Sequence, residues 1–241
     1  KSFSKVLYRW MHLLADYVVA NSNRNIEIVR KINPLLSKNK CHVIYNIVDE
    51  QKWGVKVVGS EKKEVFNLVV AASHQYLKNA DGLIEAVNLL SKEEKKRLRI
   101  SWYGGGSNDD SYSQALMKVK GLDLENIISF YPPTSDIKNV FLKSDAVGLF
   151  SFYEGLPNVV CEAMMIGKPV IASSVSDVPL LLDKNVVFDP YDVQDIATKL
   201  KYFLSLTEYQ LHQFGTANKM KAKRIFNKSD IVDKYLKLLT T

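Results

Sequence analysis

Between residues 65 and 188, short apolar runs alternate with longer stretches in which apolar residues recur every three or four positions. The runs 65–72, 98–103, 127–131, 146–150 and 170–173 are nearly continuous in aliphatic and aromatic residues, as in strands buried on both faces. A weaker run, 186–188, follows. The intervening stretches 79–90, 111–120, 136–143 and 157–166 read as helices. In the first of them Leu83, Ile84, Val87 and Leu90 share one face. Helices are expected from there to the chain end. Strands alternating with helices predict a parallel sheet covered on both sides, and right-handed crossovers make it a doubly wound α/β domain. Ligands of such sheets sit beyond the carboxyl ends of the strands. The loops after Ala72, Tyr103, Tyr131, Phe150 and Ser173 are therefore where a site is expected.

The pattern upstream is different. Val6, Leu7, Trp10, Met11 and Leu14 have helical spacing, predicting a helix over 4–14. A short buried strand is predicted at 16–22, a helix over 23–32 stopped near Pro34, a strand at 42–45 and a turn-like exit at 46–49. Residues 54–64 are rich in Gly, Lys, Glu and Ser and read as a linker. The chain opens on Lys1 rather than Met and is expected to be a piece of something longer.

Composition narrows the classes. The 241 residues are 46% hydrophobic and 24% charged, ordinary for a globular protein with a sizeable core. The net charge of +7 is uneven: residues 199–241 hold nine Lys/Arg against three Asp/Glu, and residues 1–54 nine against four. A mildly acidic middle between basic ends does not suit a nucleic-acid partner, whose reading surface is usually one positive face. Basic ends suit an anionic membrane or acidic partner, or are solvated helix faces. Cys41 and Cys161, far apart, suggest no disulfide framework, and with His12, His42, His74 and His212 they show no metal-ligand spacing. No secretory signal and no membrane-spanning length is visible, so a cytoplasmic setting is expected.

The segment from Ser151 to Ala163 carries the strongest chemical signal. It starts where a strand ends and a helix begins. Gly155 allows a turn and close approach to a ligand, and Pro157 suits the first helical position. The amides of the first turn are then free to meet a pyrophosphate. Glu154 lies just outside the helix and Glu162 in its second turn, so the two carboxylates can bracket an extended ligand and accept from sugar hydroxyls. The plainer alternative makes Glu154 a partner of the helix dipole and Glu162 a surface residue.

The run Glu154-Gly-Leu-Pro-Asn158, then Glu162-Ala163 and Gly167 to Ala172, resembles the Glu-x7-Glu signature of glycosyltransferase family 4. The similarity extends to residues 16–22 and 45–49, to 79–86 and to the final helix, 228–239. It implies a two-domain GT-B fold, of which this chain holds the Rossmann-like C-terminal half. Residues 1–54 would close the N-terminal acceptor domain, 55–225 form the nucleotide-sugar domain, and 226–241 return toward the first. The resemblance implies that Glu154 contacts the donor sugar, that Glu162 holds the ribose, and that Gly155, Leu156, Pro157 and Asn158 face sugar and phosphates. It matches Lys78 to the lysine that neutralises the diphosphate leaving group, so no cofactor and no metal would be needed.

Two departures stand out. Where the family usually has an arginine, this chain has Ser73 followed by His74, which could supply charge if protonated. Where it more often has paired glycines, Val175-Ser176-Asp177 adds an acid near the expected site. Gly104, first of three glycines, allows either backbone approach to the nucleotide or a flexible turn, and Tyr131 either borders the base or belongs to the core. The resemblance implies retaining transfer of a hexose from a UDP-, GDP- or ADP-sugar to a saccharide or lipid-linked acceptor, in bacterial surface polysaccharide or glycolipid synthesis. The fragment alone, lacking most of the acceptor domain, is expected to be inactive. Peripheral attachment at the inner face of the plasma membrane would suit the basic ends. A GT-B-fold epimerase or phosphorylase, or a non-catalytic nucleotide-binding module, stays open.

Overall fold

The computed structural model describes residues 10–54, 64–106 and 109–240. Residues 10–14 are helical, while the first part of the helix expected over 4–14 and nearly all of the expected linker lie outside the described residues. Strand β1 (Val18–Ala20) and strand β2 (Cys41–Val43) pair in parallel as a separate two-stranded sheet, joined by helix α1 (Asn23–Ile32). Helix α1 begins and ends where its cap residues demand. The Ser22 side chain accepts from the Asn25 amide, and Asn33 closes the last turn just before Pro34. A one-turn helix, α2 (Glu50–Trp53), follows; its four residues are too few for any periodicity, and the sequence reading placed none there.

The main sheet has six parallel strands: β3 (Phe66–Ala71), β4 (Leu98–Tyr103), β5 (Ile128–Tyr131), β6 (Ala146–Leu149), β7 (Val170–Ser173) and β8 (Val187–Phe188). Their spatial order is β5-β4-β3-β6-β7-β8. The chain builds outward from β3 to β5, then returns to lay β6 on the other side of β3. That reversal is the topological switch of a doubly wound sheet, and it places the loops after β3 and β6 side by side. The helices between the strands are α3 (Ala80–Asn88), α4 (Lys92–Lys96), α5 (Ser111–Gly121), α6 (Ile137–Lys143), α7 (Asn158–Ile166) and α8 (Val178–Leu181). Helices α9 (Val193–Ser205), α10 (Glu208–Ile225) and α11 (Lys228–Leu239) complete the chain.

Every residue of β6 and β7 is buried, which is why these runs read as apolar throughout. Helix α7 is also central. Val160, Cys161, Ala163, Met164, Met165 and Ile166 are all buried, leaving little of its surface to solvent. It ends at Gly167, whose φ of 92° is the left-handed closure that favours glycine. Lys168 follows, buried, with its ammonium donating to the carbonyls of Leu142 at 2.8 Å and Ser144 at 2.6 Å. That charge is satisfied at the amino ends of the strands, at the opposite edge of the sheet from the switch loops.

Candidate functional site

The switch brings Lys78 and Glu154 together. Lys78 ends a short 3-10 turn after β3, and Glu154 lies in the loop after β6. Their side chains form an ion pair of 2.6 Å, each largely shielded from solvent. The same carboxylate oxygen accepts from the Ser151 hydroxyl at 2.7 Å. Its other oxygen has no hydrogen-bond partner among the described residues. The two loops are tied through their backbones as well, Phe152 N–H donating to the Leu77 carbonyl at 2.9 Å. Ser151 carries no signal in the sequence beyond its place three residues before Glu154.

Helix α7 starts beside this pair. Pro157 is the residue before its first turn rather than the first helical residue. Its carbonyl accepts from the amides of Val160 and Cys161, while the amides of Asn158 and Val159 have no partner among the described residues. Two unpaired amides at the positive end of a nine-residue helix form a ready anion site. The chain bends at Gly155 and Leu156, as expected, but without a positive φ; Gly167 is the glycine in the left-handed region among the described residues. The packing around Gly155 would accept a Cβ in ordinary contact. A Cβ there would lie 3.4 Å from Asn25 Nδ2 and 3.7 Å from Asn21 Oδ1. Leu156 and Pro157 are buried, whereas Asn158 is exposed and accepts from the Asn46 side chain at 2.8 Å.

Glu162 is half-buried in the second turn of α7 and is no plain surface residue. Burial pushes its carboxyl above the usual range, and the Lys52 ammonium partly opposes this. A carboxylate that has lost water gains most from a ligand that donates hydrogen bonds to it.

The loops on the β4–β5 side bear on the alternatives left open for His74, Tyr131 and Gly104. His74 is buried, stacked on Tyr112 with ring centroids 4.4 Å apart and edge-on to Phe130 at 5.6 Å. Burial lowers its pKa, so it stays neutral and does not supply the charge of an arginine. Its Nε2 is buried without a partner among the described residues. Ser73 carries no charge either, which leaves Lys78 as the cationic residue of the loop after β3. Tyr131 is exposed and stacked on Tyr103 at 4.8 Å, so it is not a core residue. Gly104 is a glycine because the Ala72 carbonyl occupies the place of its Cβ, whereas around Gly105 and Gly106 the space is open. The loops after β3 and β4 thus pack backbone to backbone, His74 N–H donating to the Gly105 carbonyl at 3.0 Å.

The acid at Asp177 does not face the Lys78–Glu154 pair. It is buried, and its carboxylate is taken up by the N-terminus of α1 and by Tyr45.

The family model of the glycosyl transferases group 1 matches residues 51–221, covering every loop just described. The chain belongs to this family. Among the relatives of this chain is the O-antigen chain mannosyltransferase B of Escherichia coli, 29% identical over 155 residues, spanning 62% of this chain and 39% of that protein. An uncharacterized 41.2 kDa protein in the cps region of Klebsiella pneumoniae is 22% identical across 99% of this chain and 66% of its own length. Of solved structures, the Anabaena protein HepE in complex with UDP and glucose superposes with a TM-score of 0.85 at 18% identity, over all of this chain and 68% of that one. A glycosyltransferase from Rickettsia africae gives a TM-score of 0.84 at 19% identity, covering 99% of this chain and 66% of that one. The fold is accordingly that of GT-B glycosyltransferases, and the chain spans about two thirds of the length of several of these relatives.

Proposed function

We propose that this chain is the donor-binding part of a retaining glycosyltransferase that takes a hexosyl group from a nucleoside diphosphate sugar. The observation that carries the reading is the Lys78–Glu154 pair at the sheet switch, set beside the two unpaired amides that open α7. The diphosphate lies against those amides and Lys78, whose ammonium balances the charge that develops on the leaving group as the glycosidic bond breaks. That role for Lys78 makes a metal ion unnecessary. Glu154, already accepting from Ser151, takes hydrogen bonds from sugar hydroxyls with its unpartnered oxygen. Glu162 accepts from the ribose. The base lies toward Tyr131 and the open glycines after β4.

UDP is the first nucleotide to try, because HepE was solved with UDP and glucose. The acceptor is a saccharide or a lipid-linked saccharide of bacterial surface polymer synthesis, in keeping with the O-antigen and cps-region relatives. The apolar face of α11, where Tyr235, Leu236 and Leu239 are exposed, would then meet the rest of the longer protein. No helix among the described residues is long and apolar enough to cross a membrane, and the basic ends provide peripheral attachment to the inner face of the plasma membrane. Vesicle sedimentation tests that: binding indifferent to anionic lipid and to salt would remove it.

Isothermal titration with UDP-, GDP- and ADP-sugars is the deciding experiment for the donor site. Saturable binding to one of them is expected, and no heat at millimolar concentration with any of them would overturn the reading. A second reading, a nucleotide-binding module without transfer activity, draws on Ser73 and the neutral His74, which leave the loop a single cation. Transfer assays on the full-length protein separate the two: a catalytic site loses its rate in Glu154→Ala and Lys78→Ala, a mere module has none to lose.

A further inference from the structure

The turn after β7 does two things at once. Ser176 sits at φ 51°, in the left-handed region where a glycine would be easiest, and its hydroxyl donates to the carbonyl of Gly155. The adjacent Asp177 is 1% exposed. One carboxylate oxygen accepts from the Asn23 backbone at 2.9 Å, the Asn23 side chain at 2.7 Å and the Tyr45 hydroxyl at 2.8 Å, and the other from the Arg24 backbone at 3.2 Å. Asn23 and Arg24 are the first two residues of α1, whose amides no residue of the helix itself can satisfy. Ser22 caps the third. A carboxylate 154 positions away in sequence therefore completes the start of α1 and grips the segment after β2 in the same place. Burial by itself would raise the Asp177 carboxyl, but these hydrogen bonds outweigh it and hold it below the usual range.

The loop 154–158 is reached from this assembly at two further points. Asn21 and Asn25, themselves hydrogen-bonded at 3.0 Å, lie against Gly155, and Asn46 donates to Asn158. The sugar-side loop is thus held on one flank by the switch pair and on the other by the N-terminal unit.

We propose that Ser176 and Asp177 are positioning residues: a strut that docks α1 and Tyr45 on one side and sets the backbone of Gly155–Asn158 on the other. The Asp177 carboxylate fixes the N-terminal unit, and the Ser176 hydroxyl passes that position on to the Gly155 carbonyl. The effect on donor affinity rests on the reading proposed above; the mechanical claim does not.

Hydrogen exchange of the whole chain without ligand tests the mechanical claim. Ser176→Gly removes the hydroxyl while easing the positive φ, so the fold is kept. It should speed exchange of the Val160 and Cys161 amides, which donate to the Pro157 carbonyl, by at least fivefold and leave α1 unchanged. Asp177→Asn, which turns one acceptor into a donor facing donors, should speed exchange both at Val160 and Cys161 and at the start of α1, and Tyr45→Phe should do so more weakly. If the Val160 and Cys161 amides exchange at wild-type rates in Ser176→Gly, and in an Asp177→Asn protein whose α1 has loosened, the strut is refuted. The same variants are then titrated with UDP-glucose and with UDP. A fivefold or greater loss is expected for UDP-glucose and for UDP alike, because the diphosphate they share lies against the amide of Asn158, which the strut positions. Wild-type protein that binds neither would sink the donor reading, and the exchange rates would still judge the strut.

Discussion

Lys78→Met isolates what the ammonium does, because the side chain keeps about its length and loses its charge. In the free protein the substitution leaves Glu154 shielded with only Ser151 to satisfy it. Exposed ion pairs contribute about 0–1 kcal/mol, while removing one partner of a buried pair costs about 3–5 kcal/mol. With side-chain exposures of 22% and 16% the pair lies between these limits. A loss of roughly 1–2 kcal/mol is expected, or about 2–8 °C in Tm for a chain of this size. In the complex the same ammonium meets a diphosphate. A unit charge about 4 Å from another contributes roughly 4 kcal/mol at an effective dielectric of about 20. Part of this offsets the interaction already made with Glu154, leaving about 2–3 kcal/mol, or roughly a 30- to 150-fold weaker Kd for UDP. Titration calorimetry at two salt concentrations reads it, and the difference between wild type and variant should shrink at high salt. Glu154→Gln provides the opposite sign. It releases Lys78 from its carboxylate, so UDP should bind as well as or better than in wild type, while UDP-glucose binds less well. UDP affinity within twofold of wild type in Lys78→Met, alongside a lowered Tm, would refute the reasoning and make Lys78 a structural counterion of Glu154.

Four further outcomes follow from the structure. Glu162→Gln removes a carboxylate whose burial is unfavourable, so Tm should hold or rise while the Kd for UDP weakens about 10-fold, consistent with hydrogen bonds to a charged group being worth about 1.5–3 kcal/mol; a matched loss of both would contradict the ribose role. Because the Glu162 pKa is raised, nucleotide affinity should already decline at a pH above the ordinary carboxylate value, and Glu162→Gln should flatten that decline. The Asp177 carboxyl is held below its ordinary value, so its contribution to stability is present above about pH 4 and is lost as the pH falls through the lower folded value; acid unfolding of Asp177→Asn, followed by circular dichroism, should lack that component. Gly104→Ala forces a Cβ onto the Ala72 carbonyl; overpacking of this kind costs about 1–3 kcal/mol, so Tm should fall and UDP should bind more weakly as the loop after β3 shifts.

By itself the sequence determined what depends on neighbours along the chain. Helix α1 and strands β4 and β7 lie where hydrophobic spacing and cap residues put them, and most other elements differ by one or two residues at their ends. The helix start after Glu154 was legible too, because strand, glycine, proline and apolar helix follow one another directly. Elements of four or five residues, such as α2, α4 and α8, were not, since one turn is too short to show a period. Tertiary structure decided everything that joins distant segments. Strand order is invisible in a string of similar apolar runs; only the placement of β6 beside β3 brings Lys78 to Glu154. His74 looked like a substitute cation until Tyr112 and Phe130 covered it, because desolvation depends on what packs around a ring and not on what precedes it. Asp177 read as an acid near the site, yet its hydrogen-bond donors come from Asn23, Arg24 and Tyr45, more than 130 residues away. Periodicity and capping act over a few residues; charge state, close approach and partnership are set by what the fold brings together.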